Sequence, residues 1–202
     1  MLDFLTTEDQ GRVAMVKPKG LLLFHGAGGS KDHHVFSLIE QEIQIPVRSV
    51  NFAYRNQGGR RPPPRAQKLV NEVNLASANW AEDLGVPTSH LLLGGRSMGG
   101  RVASMAVANG LNSRGLVLLS YPLHPIGKPE KLRTDHFRAI RRPCIFLSGD
   151  RDPFGSPTEF TQSIKQIKGN VSMIWLGGQG HDPKKQLDVL ITSLEEWIGS
   201  LR

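Results

Sequence analysis

Two hydrophobic periods alternate along the chain. Residues 21–25 form an apolar run that stops at Gly26-Ala27-Gly28-Gly29, which reads as a buried strand feeding a tight loop. Residues 46–54, 90–94, 115–121, 143–148 and 171–176 repeat that strand pattern. Between them the apolar positions recur at helical spacing. Val35, Leu38, Ile39 and Ile43 mark one helix, and Leu69, Val70, Val73 and Trp80 mark another over residues 66–84. Residues 98–108 read as a small-residue helix ending at Gly110, and residues 157–167 and 184–198 as two more. Strands that are apolar on both faces and separated by helices need crossover connections, hence a parallel sheet. The pattern predicts an α/β fold, a doubly wound and mostly parallel sheet flanked by helices, in a single domain over residues 1–202. Ligands of such sheets bind at the carboxyl ends of the strands.

Composition narrows the class. A chain of 202 residues, 39% hydrophobic and 21% charged, is large enough for one sizeable core and too apolar for disorder. Its apolar runs fall far short of a membrane span. The opening MLDFLTTEDQ carries acids where a secretory signal needs a basic region. A single cysteine, Cys144, precludes an intramolecular disulfide and reads as a buried inert thiol, so the expected location is cytoplasmic. Trp80, Trp175 and Trp197 read as core. The net charge of +7 gathers in residues 55–65 and 128–142, which hold ten of the 25 Lys and Arg. Neither segment resembles a recognition helix, a zinc finger or an aromatic RNA-binding strand, so no nucleic-acid partner is expected. Arginines around Pro62-Pro63-Pro64 read as a rigid basic loop.

The chemistry concentrates at Gly95-Arg96-Ser97-Met98-Gly99, between a strand and a helix. This is G-x-S-x-G in the setting of a nucleophile elbow, a strained turn that lifts a serine hydroxyl above the sheet. A serine needs a base, and the base an orienting acid. Asp150 and Asp152 close a later strand; Asp152, one step further out and before Pro153, is the better placed to reach a base. His181 follows the last strand in Gly178-Gln179-Gly180-His181-Asp182. Among the other histidines, His25 reads as structural, His33, His34 and His90 as surface or packing residues, and His124 and His136 as candidates for the mouth of a site. The oxyanion of an acyl-transfer intermediate would be met by the Met98 N–H and by the Ala27 N–H of the first glycine loop. That loop is not a nucleotide cradle. The third glycine of G-x-G-x-x-G is replaced by Lys31, and no G-K-[ST] follows. No residues show zinc-ligand spacing or the paired carboxylates of a glycosidase, so neither metal nor cofactor is expected.

From about Gly20 onward the chain resembles the α/β-hydrolase superfamily. LGGRSMGGR, SYPLHPIGKPEKLR and GDRDPFG resemble a compact branch of it, which groups small bacterial hydrolase-like proteins with an animal testis-expressed protein and a histone acetyltransferase chromatin-complex subunit. The resemblance implies Ser97 as nucleophile, Asp152 as acid and His181 as base, and the G-x-x-D spacing from Gly149 favours Asp152. Many superfamily members carry a helical cap where this chain has only residues 122–142, so a minimal cap or none is expected. Arg96, Arg60, Arg61, Arg65 and Arg133 would flank the site and offer guanidinium forks to an anion, unless Arg96 pairs internally with an acid such as Asp135. The leading expectation is a cofactor-free serine hydrolase cleaving an ester, thioester or related acyl bond of a small, possibly anionic substrate through an acyl-enzyme. Acyl transfer or perhydrolysis would use the same residues. The rival is a catalytically weak, hydrolase-like binding protein whose basic mouth docks an acidic partner.

Overall fold

The computed structural model describes residues 17–56 and 62–201. Six strands, β1 (Gly20–Phe24), β2 (Val47–Val50), β3 (Leu91–Arg96), β4 (Gly115–Leu119), β5 (Cys144–Gly149) and β6 (Val171–Leu176), form one sheet in the order β2-β1-β3-β4-β5-β6. All five pairings are parallel. Helices α1 (His34–Glu42), α2 (Ala53–Asn56), α3 (Ala66–Asp83), α4 (Met98–Ala108), α5 (Pro157–Ser163) and α6 (Leu187–Ser200) make the connections.

Successive strand residues point to opposite faces, and each face has its own core. Leu22, Phe24 and Leu93 pack with Val73 of α3 and Val102 of α4. Leu21, Leu23 and Leu92 pack with Phe36 and Ile39 of α1 and Leu194 of α6. Strands covered on both sides explain why their sequences are continuously apolar rather than alternating. Trp80 and Trp197 are buried, one in each core, and Trp175 packs edge-on against Phe160. Cys144 is buried, and burial pushes its thiol up to about 12.

Three stretches depart from the expected elements. The strand over 46–54 ends at Val50, and the chain turns into α2 because Phe52 and Tyr54 fold back onto β1 and its loop. The Phe52 ring stacks on Phe24 at 5.4 Å, and the Tyr54 ring meets His25 at 5.8 Å. The helix over 157–167 tightens into a 3-10 turn at Ile164–Gln166. The last helix starts at Leu187 instead of residue 184. The Lys184 and Lys185 amides both donate to Gln179 Oε1, and Gln186 takes a left-handed conformation (φ 58°) before the first turn.

The connection from β4 to β5 carries one 3-10 turn, Phe137–Ala139, and no α-helix. Tyr121 and Phe137 are fully buried and pack edge to face with Phe146 of β5, so the segment lies down on the sheet. Among the described residues no cap rises over the carboxyl ends of the strands. Among the described residues no helix is long and apolar enough to cross a membrane.

Candidate active site

Ser97 stands between β3 and α4 with φ 52° and ψ −116°, in the region that L-residues avoid. Its amide donates to Leu119 O of β4 at 2.8 Å, which ties the elbow to the sheet. A Cβ on Gly95 or Gly99 would overlap the Phe24 carbonyl, so glycine at both positions lets strand and helix pass directly over β1. The strained serine is over-determined by these contacts, the condition under which such strain persists.

His181 and Asp152 come to the same point from the ends of β6 and β5. His181 Nε2 lies 2.8 Å from Ser97 Oγ, and His181 Nδ1 lies 2.7 Å from Asp152 Oδ2. The Asp152 side chain is 1% exposed against 19% for His181, so the carboxylate is sealed while the imidazole reaches the surface of the site. Phe154 N–H donates to Asp152 Oδ1 at 2.9 Å and fixes the carboxylate, and the Phe154 ring lies 4.3 Å from the imidazole. Asp150 does a different job. Its Oδ1 accepts from Gly178 N–H at 2.7 Å and holds the turn after β6. A Cβ on Gly149 would overlap the Gln179 carbonyl, so this glycine lets the His181 loop close over Asp152.

The glycine loop after β1 lies against Ser97. His25, wholly buried, donates from Nδ1 to Gly26 O at 2.7 Å and accepts the Phe52 N–H on Nε2 at 3.1 Å. Burial holds its pKa below the ordinary histidine value, so the ring is neutral, as this bonding requires. Tyr54 donates its hydroxyl proton to Ala27 O at 2.8 Å. With the carbonyls on either side of it engaged, the loop is fixed. Among the described residues the Ala27 and Met98 amides have no acceptor, and both residues line the cleft at Ser97.

That cleft has a volume of about 290 Å³. Arg65, Arg133, Pro122 and Phe154 help form its walls, as does Arg101, which no motif singles out. A larger cleft of about 540 Å³ beside Asn112 and Arg142 lies past the far end of α4, and the elbow residues do not reach it. Arg60 and Arg61 fall outside the described residues.

Three expected site residues sit elsewhere. Arg96 turns away from the cleft and under the His181 loop: Nη2 donates to His181 O at 3.0 Å and stands 3.4 Å from Asp182 Oδ1, so its acid is Asp182 and not Asp135. His124 is buried behind the wall, with Nδ1 on Pro125 O at 2.8 Å and Nε2 3.2 Å from Glu159 Oε1. His136 bonds Ser104 Oγ at 2.8 Å; burial, with the Arg101 charge, brings its pKa down to about 4.

Asp182 and His33 were not expected at the site. Asp182 lies 3.1 Å from His33 Nε2 and 2.8 Å from Lys184 Nζ. Burial works against the charge on Asp182, but Lys184, Arg96 and His33 together hold its carboxyl below the usual range. His33 is lowered to about 4 by burial, then by Arg96 and His34, so it gives Asp182 a neutral N–H while Nδ1 accepts from Val35 at the start of α1. His33, His34 and Asp182 are close enough to share a metal ion. Lys184 and Arg96 already crowd both Asp182 oxygens with positive charge, and a divalent ion there would have to displace them.

An alpha/beta hydrolase domain model matches residues 17–197. The chain belongs to the α/β-hydrolases. It is similar to DcsB, solved in complex with its substrate analogue, at a TM-score of 0.74 and 12% identity over 92% of this chain and 91% of that one. It is also similar to Est1E from Butyrivibrio proteoclasticus with ferulic acid bound (TM-score 0.71, 16% identity, 92% and 90% covered). An alpha-beta serine hydrolase homologue from Coxiella burnetii matches at 0.70 and 16% identity, with 89% and 88% covered. Identities this low speak to the fold. In this α/β-hydrolase, the strand-end loops bring a hydroxyl, an imidazole and a sealed carboxylate into one hydrogen-bonded line beside two amides that have no acceptor among the described residues. The arrangement is competent for nucleophilic attack on a carbonyl.

Proposed function

We propose that this α/β-hydrolase cleaves a carboxylic ester, thioester or related acyl bond through an acyl-enzyme on Ser97. The observation that carries the reading is the line Asp152–His181–Ser97, with steps of 2.7 and 2.8 Å. Ser97 Oγ attacks the substrate carbonyl carbon as its proton passes to His181 Nε2. The carbonyl oxygen becomes an oxyanion that accepts from the Met98 and Ala27 amides. Asp152 accepts the Nδ1–H, keeps the imidazole in the required tautomer and stabilises the imidazolium. The intermediate collapses, and the leaving alcohol or thiol takes the proton from Nε2. Water then gives a proton to Nε2 as it attacks the acyl carbon, and the acid departs with Ser97 restored.

The neighbour solved with ferulic acid bound supports a small-molecule substrate, and the low β4–β5 connection supports an open site. Within the family, the SYPLHPIGKPEKLR segment supports membership of the compact, uncapped branch. The test is a fluorophosphonate with the adduct mapped by mass spectrometry. A label on Ser97 that is lost in His181→Ala is the expected result. A folded protein that takes no label would replace the hydrolase by the binding reading, with the basic cleft as a dock for an acidic partner.

A further inference from the structure

We propose that the substrate carries an anionic group, a carboxylate or phosphate, held by Arg101 and Arg133 on the wall of the Ser97 cleft. The proposal rests on Ser97 as the reacting centre and adds the class of molecule brought to it.

Arg101 lies four residues after Ser97 on α4, one turn along the same face, and its amide donates to Ser97 O at 3.1 Å. Arg133 comes from the β4–β5 connection with its backbone pinned at both ends. Its amide donates to Leu123 O and its carbonyl accepts from Tyr121 Oη, each at 2.7 Å. Both side chains are half-buried and face the cleft that Ser97 opens into.

Among the described residues neither guanidinium has an ion pair, whereas Arg96 meets Asp182 and Arg48 meets Asp83. Among the described residues Arg101 Nε is buried with no hydrogen-bond partner. Around the pair stand Tyr121, the neutral His136 on Ser104 and the prolines of the cleft wall. Asp135, the nearby acid in sequence, is exposed and pairs with neither. Burial and the charge of Arg101 both hold Arg133 below the usual arginine range, which places the two cations in each other's field. Two half-dry, unpaired cations cost free energy in the empty protein, and an oxyanion between them removes that cost while filling their donors. Arg65, exposed at the rim, adds attraction for the same ligand. A cleft of about 290 Å³ admits a short acyl compound rather than a long lipid chain.

The test compares 4-nitrophenyl hydrogen glutarate with neutral 4-nitrophenyl pentanoate on wild type, Arg101→Gln, Arg133→Gln and Arg133→Lys, with Ser97 labelling run on each. Wild type should favour the anionic ester in kcat/KM by about tenfold or more, the size expected of a charge-assisted contact. Each Gln variant should bring the ratio close to unity, and Arg133→Lys should recover part of it. A protein that labels at Ser97 yet shows no preference, or keeps its preference in both Gln variants, overturns the proposal. Calorimetric binding of glutarate and of inorganic phosphate to Ser97→Ala separates this from the hydrolase reading. Binding that the Gln changes abolish supports the anion site even where no variant turns over. Binding of neither anion overturns it. Phosphate binding alone assigns the charge to a phosphoryl group, and glutarate binding alone to a carboxylate.

Discussion

Arg96 Nη2 donates to the backbone carbonyl of His181 at 3.0 Å, so the residue just before Ser97 holds the loop that carries the imidazole. Arg96→Met should let that loop drift. The expected result is a fall in kcat of about tenfold with little change in KM, because distance to the base, not substrate contact, is lost. Arg96→Lys, which keeps the charge against Asp182, should recover part of the rate. Steady-state kinetics on a neutral activated ester reads both.

Asp152 and Asp150 should separate cleanly. Asp152→Asn leaves a group of the same size against His181 but favours the wrong imidazole tautomer, and kcat should drop on the order of 10³–10⁴-fold with the melting temperature nearly kept. Asp150→Asn weakens the bond to the Gly178 amide and should lower the melting temperature more than the rate.

Tyr54→Phe deletes the hydroxyl on Ala27 O without opening the core. Freed of that tether, the loop should present its amide less well, with kcat reduced several-fold and stability lowered by about 1 kcal/mol. An unchanged kcat would mean that Ala27 is not an oxyanion donor.

Gly99→Ala should fail for a steric reason. The added methyl has nowhere to go but into the Phe24 carbonyl, and β1 must separate from α4 to admit it. A loss of about 3 kcal/mol or more, read by urea denaturation, is expected. A fully stable Gly99→Ala would mean that strand and helix are further apart than described.

Acid should destabilise the protein before its carboxylates titrate. His33 and His136 have folded values of about 4, against 6.5 for the free side chain, through burial and through Arg96 and Arg101 respectively. Between 6.5 and 4 the unfolded chain therefore binds more protons than the folded one. The stability these groups contribute is whole above 6.5 and is lost as pH falls toward 4. Urea midpoints at about pH 7.5 and about pH 5 should differ, and His33→Gln with His136→Gln should flatten the difference.

The strands were legible because parallel strands buried on both faces leave continuous apolar runs. The elbow was legible because its glycines are a local requirement of close approach. Three features were not. Phe52 and Tyr54 look like a continued strand, and only the loop after β1 shows why they turn back. Arg101 carries no local signal, since only the β4–β5 connection brings Arg133 to the same cleft. His33 and Asp182, paired across 149 residues, could not be linked by any spacing. Arg96 shows the same limit: its position beside Ser97 suggested substrate, while its direction, fixed by Asp182, serves the His181 loop.

The hydrogen-bonded line at the site joins residues that are far apart in the order of synthesis. His181 follows Ser97 by 84 residues and hangs from the last strand of the sheet. Chains are made from the amino terminus, so the elbow can form around Ser97 while His181 is still absent. A growing chain thus presents an ordinary alcohol at this position. The hydroxyl gains its hydrogen-bond partner only when β6 adds to β5, so the reactivity proposed for Ser97 would be the last property the fold acquires.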